Sequence, residues 1–290
     1  MIVKNPIFFI GEGRSGTTVM FEAFVKHQDI AYLSNYTEKF FSPKIGLVHR
    51  VVKKTRREDQ YDKDSVLLKY LPKPIEAYDT WAKLCGDKFV NTFLKGVVAS
   101  KQEKNDVSKY IDDIVKYQKK NHFATKLTGP PRIGYLSSIY AGAKFINIIR
   151  DPRAVVASLL NVGFWKQKGD KPFWEDAFTQ EQYAIYKEYG QSEVALAALE
   201  WCAVYDQTEL ERIDKNIIDV SNESFMKNPV GEMRRIFNLV GLEPCQNSLS
   251  YIEANDYVDM NDKYKDRLSL EEINVVEQIC LRQMKAHGYL

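Results

Sequence analysis

Histidine and cysteine are scarce in this 290-residue chain, and neither is grouped. Cys85, Cys202, Cys245 and Cys280 form no C-x-x-C pair, and His27, His49, His122 and His287 are equally scattered. Zinc-ligand spacing is therefore missing, and the thiols read as buried, reduced side chains rather than as a disulfide framework. No apolar run approaches the roughly 20 residues that a membrane-spanning helix needs. The opening IFFIG is too short for a secretory leader, so a cytoplasmic protein without a membrane span is expected. Charge of one sign is lacking as well. The 41 basic and 39 acidic residues leave a net charge of +2, which argues against a nucleic-acid partner held by overall charge but allows a local basic pocket. Internal repeats and low-complexity tracts are absent. What is present, 44% hydrophobic and 28% charged, suits a globular chain with a sizeable core.

Apolar patterning gives the order of elements. PIFFIG (6–11) reads as a buried strand, and residues 17–26 as the helix after it, with Val19, Met20 and Phe24 at helical spacing. DIAYLS (29–34) predicts a second strand. From about 36 to 122 the pattern is charge-rich and mostly helical, and KKTRREDQYDKD (53–64) reads as a solvated helix face or loop. HFATKL (122–127) predicts a third strand, followed by a proline-started helix in PPRIGYLSSIYAG. AKFINIIR (143–150) is a near-continuous β-run suited to a central strand buried on both faces. DPRAVVASLL opens a helix, with Asp151 as N-cap and Pro152 at the first helical position. One long helix is predicted over 180–212, a short strand at 217–220, and two short helices broken at Pro229. A closing amphipathic helix starts at Ser269, with Glu272 completing a capping box. Alternating strands and helices imply an α/β fold with a parallel, doubly wound sheet. We expect one domain over 1–290 with a largely helical insertion at about 45–120.

The first strand runs into IGEGRSGTT, which can be read in three ways. Gly11, Gly13 and Gly16 spell the G-x-G-x-x-G of a dinucleotide site, and Glu38, about 20 positions on, could take a ribose hydroxyl. Yet DIAYLSNYTE is more polar than the second strand of such a fold should be. The same turn nearly spells a phosphate loop, but Thr17 stands where the lysine that reaches the β- and γ-phosphates should be. No run of apolar residues ending in Asp offers a metal-anchoring carboxylate. The third reading keeps the anion-binding turn and changes the ligand. Gly11, Gly13 and Gly16 let backbone N–H groups approach an anion closely, and the following helix adds its positive end. Ser15, Thr17 and Thr18 add hydroxyls, and Arg14 supplies the cation.

A second anion site favours the third reading. Arg150 stands at a strand end, and Ser158 lies two turns into the next helix. Two such pockets at the C-terminal ends of two parallel strands suit a nucleotide phosphorylated at both 5′ and 3′ positions. At these residues the chain resembles the sulfotransferases that use 3′-phosphoadenosine-5′-phosphosulfate (PAPS), a family with a P-loop-like three-layer α/β/α fold. IFFIGEGRSGTTVM (7–20) resembles the 5′-phosphosulfate loop of that family, and KFINIIRDPRAVVASLL (144–160) its 3′-phosphate motif. Fainter similarity runs through ATKLTGPP, ALEWCAVYD, DVSNESFMKNPVGEMRRIFNLVGL and NDKYKDRLSLEE.

The resemblance implies in-line transfer of a sulfuryl group from PAPS to a hydroxyl or amine, without a metal, leaving adenosine-3′,5′-bisphosphate (PAP). It places Gly13, Arg14, Ser15, Gly16, Thr17 and Thr18 around the 5′-phosphate, Arg150 and Ser158 at the 3′-phosphate, and Lys263 as a late basic residue on the nucleotide. It places Lys126 at the transferring group and Arg14 at the leaving phosphate. In one branch of the family the base is a histidine at the position of Thr128, so the base does not carry over from that motif. A related branch uses a glutamate near the position of Glu38, and His49 is a second candidate. The family's adenine segment reads Asn222-Glu223-Ser224 here. Small-molecule acceptors are expected, such as natural products, alkaloids, phenols, lipids or sugars. Protein tyrosine or glycan acceptors, or a nucleotide-binding protein without activity, are the alternatives. Aromatic residues Phe40, Phe41, Phe164, Trp165, Phe173 and Trp174 suggest an acceptor lid, with Glu38, Glu175 and Asp176 nearby to suit a cationic acceptor.

Overall fold

The computed structural model describes residues 3–55, 71–166 and 169–290. The stretch 53–64, read above as a solvated helix face or loop, lies outside the described residues from 56 onward. Five parallel strands form one sheet: β1 (Ile7–Ile10), β2 (Ile30–Tyr32), β3 (His122–Lys126), β4 (Lys144–Ile149) and β5 (Asn216–Ser221). Their order is β2-β3-β1-β4-β5. Alternate residues of each strand feed opposite faces. Phe8, Phe123 and Phe145 pack on one face with Trp81 and Phe89, while Phe9, Ala124 and Ile146 pack on the other with Phe24 and Phe237. Both faces are covered, so β1 is apolar at every position, and in β4 the two polar side chains are answered: Asn147 donates to Asp219 on β5 and Lys144 to the Val240 carbonyl oxygen.

Helix α1 (Thr17–Phe24) follows β1 directly. Between β2 and β3 the chain inserts α2 (Asn35–Phe40), α3 (Ile45–Thr55), α4 (Tyr78–Cys85), α5 (Lys88–Asn91) and α6 (Lys101–Gln118). After β3 come α7 (Ile133–Ile139) and, beyond β4, α8 (Pro152–Leu159), where Asp151 caps the Arg153 N–H and Pro152 opens the helix. A short α9 (Gly163–Lys166) follows. The long helix predicted over 180–212 is two helices, α10 (Gln180–Glu188) and α11 (Glu193–Glu211). Gly190 and Gln191 take left-handed backbone (φ +66° and +55°), which no α-helix can pass through, and the Ser192 hydroxyl restarts the helix by capping Ala195 N–H.

Past β5, α12 (Asn222–Lys227) and α13 (Pro229–Val240) meet at Pro229. Then come α14 (Gln246–Glu253), a 3₁₀ turn at Asn261–Lys263 and α15 (Tyr264–Arg267). The closing helix is also interrupted. It divides at Cys280 into α16 (Leu270–Ile279) and α17 (Leu281–Ala286). The apolar stripe survives the break, because Val276, Cys280 and Met284 all bury in the cluster built around α11. There the Cys280 thiol meets that of Cys202 at 3.5 Å. All four cysteines are buried and unbridged.

Strands β2 and β3 lie to one side of β1, and β4 and β5 to the other. The loops after β1 and β4 therefore emerge side by side at the carboxyl ends of neighbouring strands. In open α/β sheets this reversal point is where a ligand crevice forms.

Candidate active site

The loop after β1 leaves through a gap that only glycine permits. Gly11 has φ +132°, and a Cβ there would come within 2.4 Å of the Ile148 carbonyl oxygen on β4. Gly16, the residue before α1, has φ +89°, and a Cβ would strike Asn222 Nδ2 at 2.1 Å. Between them the Ser15 N–H reaches the Glu12 carbonyl oxygen at 3.3 Å, closing a tight turn. Arg14, at its apex, is also left-handed (φ +69°), a conformation that costs a non-glycine residue about 1 kcal/mol or more. It is held there from outside, because Arg150 Nη1 donates to the Arg14 carbonyl oxygen at 2.8 Å. Ser15 Oγ is buried without a hydrogen-bond partner among the described residues. A buried orphan hydroxyl in a turn at the start of a helix fits an anion-binding loop.

Arg150 follows β4, and Ser158 sits on α8. Ser158 Oγ accepts from Arg14 Nε at 3.0 Å, so the serine faces the first loop. Arg150 Nε donates to Asn261 Oδ1 at 2.7 Å. Asn261 Nδ2 in turn donates to Glu223 Oε1 at 2.7 Å, and Glu223 also accepts from the Asp151 N–H and the Tyr289 hydroxyl. Burial pushes the Arg150 guanidinium below its usual value, and the Glu223 carboxylate opposes that shift. Arg14, Gly16, Thr17, Thr18 and Arg150 share one cleft of about 460 Å³, whose walls include Asn222, Met226, Tyr251, Tyr257 and Met260. Two segments more than a hundred residues apart thus present two guanidinium groups to one cavity. Lys263 is exposed and does not line the cleft, whereas Met260 does and Asn261 reaches Arg150.

Lys126 ends β3 and is 3% exposed. Its ammonium donates to Thr18 Oγ1 at 2.6 Å and pairs with Glu76 Oε1 at 2.8 Å. Glu76, absent from the sequence reading, arrives from the segment before α4. Glu38 sits farther back. Its Oε1 accepts from the Asp79 N–H at 3.2 Å, in the first turn of α4, whose N-cap Ala77 has no side chain able to cap. Burial raises the Glu38 carboxyl above its ordinary value, helped by neighbouring Asp79 and Glu76. The geometry gives Glu38 a capping task. Glu38→Gln, whose amide oxygen still accepts from Asp79, should therefore keep turnover within about threefold of wild type. Glu38→Ala should lose about 1 kcal/mol of stability in a denaturant titration. A turnover loss beyond tenfold in the Gln variant would return Glu38 to the chemistry. His49 is buried edge-on against Tyr32 and lines a separate cavity with His27, Lys119 and Lys120.

A second cavity, about 330 Å³, lies on the other side of the loop. Its lining includes Glu12, Gly13, Tyr78, Thr128, Leu159, Phe164, Trp165, Phe173, Trp174 and Glu200. Four of the six aromatic residues singled out in the sequence are here. Phe40 is exposed and Phe41 stacks on Tyr110. The acidic lining is also different from the one expected. Asp176 accepts from the Phe93 N–H outside the cavity, while Glu12 and Glu200 line it. Burial raises the Tyr78 phenol, which stays protonated and donates to the Thr128 carbonyl oxygen at 2.6 Å. Among the described residues no cluster of His, Cys, Asp and Glu could hold a metal ion, and no helix is long and apolar enough to cross a membrane.

A family model described as the sulfotransferase family matches residues 6–246. Among solved structures the chain is similar to the sulfotransferase STF9 of Mycobacterium avium, with 16% identity and a TM-score of 0.61 over 98% of this chain and 77% of that one. It is also similar to the sulfotransferase STF1 of Mycobacterium tuberculosis, with 14% identity and a TM-score of 0.55 over 91% of this chain and 76% of that one. No curated protein matches the sequence.

Proposed function

This chain belongs to the sulfotransferase family, and from that premise we propose that it carries a sulfuryl group from PAPS to a small-molecule acceptor, releasing PAP. The observation that carries the reading is the pair of arginines on one cleft. Arg14 and Arg150 border the same cavity from loops after adjacent strands, joined through the 2.8 Å hydrogen bond to the Arg14 carbonyl. A nucleotide with a single phosphate group or chain would need only one of them. A 3′,5′-bisphosphorylated nucleoside uses both.

In this reading the loop amides from Gly13 to Gly16, with the hydroxyls of Ser15, Thr17 and Thr18, hold the 5′-phosphate. Arg150 and Ser158 hold the 3′-phosphate, and Asn222 lies against the turn at Gly16. Arg14 stands where charge builds on the departing phosphate, and Lys126, fixed by Glu76 and Thr18, stands beside the transferring group. Positioning and fixed charge supply most of the rate in such transfers. The cavity beyond the loop, about 330 Å³, is of a size for a small acceptor rather than a folded protein segment, which favours the small-molecule reading.

Calorimetry with PAP tests the donor site, and PAP release from PAPS tests the reaction. Tight PAP binding together with PAPS consumption is the expected result. Preference for NAD or ATP over PAP would overturn the donor assignment. PAP binding without PAPS consumption, across a mixed pool of acceptors, would leave a nucleotide-binding protein of this fold.

A further inference from the structure

Resting on the sulfotransferase reading, we propose that the aromatic cavity is the acceptor chamber, that it takes a flat, mainly apolar ring bearing a hydroxyl, and that Glu12 is the base that takes the acceptor proton. The loop itself divides the two cavities. Glu12 and Gly13 face the chamber, while Arg14, Gly16, Thr17 and Thr18 face the cleft. A group passing from one cavity to the other must cross the turn at Gly13–Arg14. The attacking oxygen is then on the chamber side, within reach of a side chain that lines both the chamber and the crossing point.

Glu12 is that side chain. It is 6% exposed, and its Oε1 accepts from the Gly13 N–H at 2.8 Å, which fixes the carboxylate against the turn. Neither Glu38, Glu76 nor His49 lines the chamber. Glu200 does, but it stands on α11 and accepts from the Phe173 N–H at the aromatic wall, away from the turn that separates the two cavities. Thr128 lines the chamber too and has no basic atom able to hold a proton near neutral pH. The wall itself selects the acceptor. Trp165 and Trp174 are buried, Phe173 meets Trp174 edge-on at 5.2 Å, and Phe164 and Phe173 stand half-exposed, meeting at 6.1 Å. Such a wall favours an aromatic ring over a sugar.

The acceptor oxygen forms a bond to sulfur as its proton passes to Glu12. The bond from sulfur to the bridging oxygen breaks, and its electron pair stays on the 5′-phosphate of PAP. The products are a sulfate ester, PAP and a protonated Glu12, which returns its proton to solvent.

Wild type, Glu12→Gln and Glu12→Asp are compared at mildly alkaline pH with two acceptors. Naphthol is neutral there and must lose a proton during transfer, whereas para-nitrophenol is already ionised. PAP binding is measured alongside. The Gln variant should bind PAP within about threefold of wild type and lose about 10²- to 10³-fold in kcat on naphthol, but less than about fivefold on para-nitrophenol. The Asp variant should recover part of the loss on naphthol. Equal losses on both acceptors, or none on either, overturn Glu12 as the base. Wild-type enzyme that binds PAP yet uses neither phenol overturns the chamber's acceptor class. Failure of wild type to bind PAP overturns the donor reading instead.

Discussion

Arg150→Ala should weaken PAP binding by about two to three orders of magnitude while leaving the protein folded. The guanidinium has three tasks in the structure: it faces the cleft, it donates to the Arg14 carbonyl oxygen at 2.8 Å, and it answers the Glu223 carboxylate through Asn261. A hydrogen bond to a charged group contributes about 1.5–3 kcal/mol, and removing one partner leaves the other unanswered. Here the loss is compounded. Glu223 would remain beside the site of the 3′-phosphate with no cation between them, and its charge would repel the ligand. Arg14 would also lose the contact that holds its left-handed backbone, so the loop amides would no longer be fixed toward the 5′-phosphate. Arg150→Lys keeps the charge but not the fork that serves Asn261 and the loop together, so it should recover only about tenfold. Calorimetry with PAP reads the effect, and a melting curve within a few degrees of wild type separates it from unfolding. An alanine variant that binds PAP within about threefold of wild type would remove Arg150 from the nucleotide site.

The second large effect has a different signature. Arg14→Ala should lower kcat by about 10²- to 10³-fold and PAP affinity by less than about tenfold. The reason is when the charge appears. The leaving phosphate gains negative charge as its bond to sulfur breaks, so a cation at the loop apex acts more strongly in the transition state than in the bound ground state. In the role proposed for it Arg14 has little to reorganise, because its Nε is tied to Ser158 Oγ at 3.0 Å and its backbone is held by Arg150. The contrast between the two arginines is the informative result. Arg150 should appear mainly in donor affinity and Arg14 mainly in turnover. A raised KM with unchanged kcat in Arg14→Ala would make Arg14 a binding residue only.

Several features of the site were legible in the chain before its fold was known. IGEGRSGTT announces a tight strand-to-helix turn because every requirement is local: a strand that ends, glycines where the backbone must turn left-handed, and a helix that begins. INIIRDPRAVVASLL is readable for the same reason, since strand, cap and proline follow one another directly. The helix boundaries at 190 and 280 were harder to read. The apolar spacing continues across both breaks, so periodicity alone runs the helices together, while the left-handed pair Gly190–Gln191 and the non-helical backbone of Cys280 (φ −95°, ψ 9°) divide them.

The partners of these motifs gave no such signal. Glu76 reaches Lys126 from fifty residues upstream, and Asn261 reaches Arg150 from more than a hundred residues downstream. Nothing in KPIEAYD or DMNDKY marks either residue for that task. Glu38 lay only near an expected position in the sequence and meets the first turn of α4, and His49 meets Tyr32 in another cavity. Glu12 stood in plain view inside the glycine turn. Its side-chain direction, toward the aromatic chamber rather than the cleft, could not be read from its neighbours.

The sequence by itself determined the family and the α/β alternation, and it marked the two segments proposed to bind the nucleotide's phosphates, because each signal lies within a few residues along the chain. Tertiary structure alone decided which charges meet. The parallel sheet places β1 between β3 and β4, so the loop of Arg14 lies against Arg150 on one side and Lys126 on the other. The same turn separates the charged cleft from the aromatic chamber. That separation, with Glu12 on one side and Arg14 on the other, comes from the direction in which successive side chains leave a strained backbone, which residue order does not encode locally.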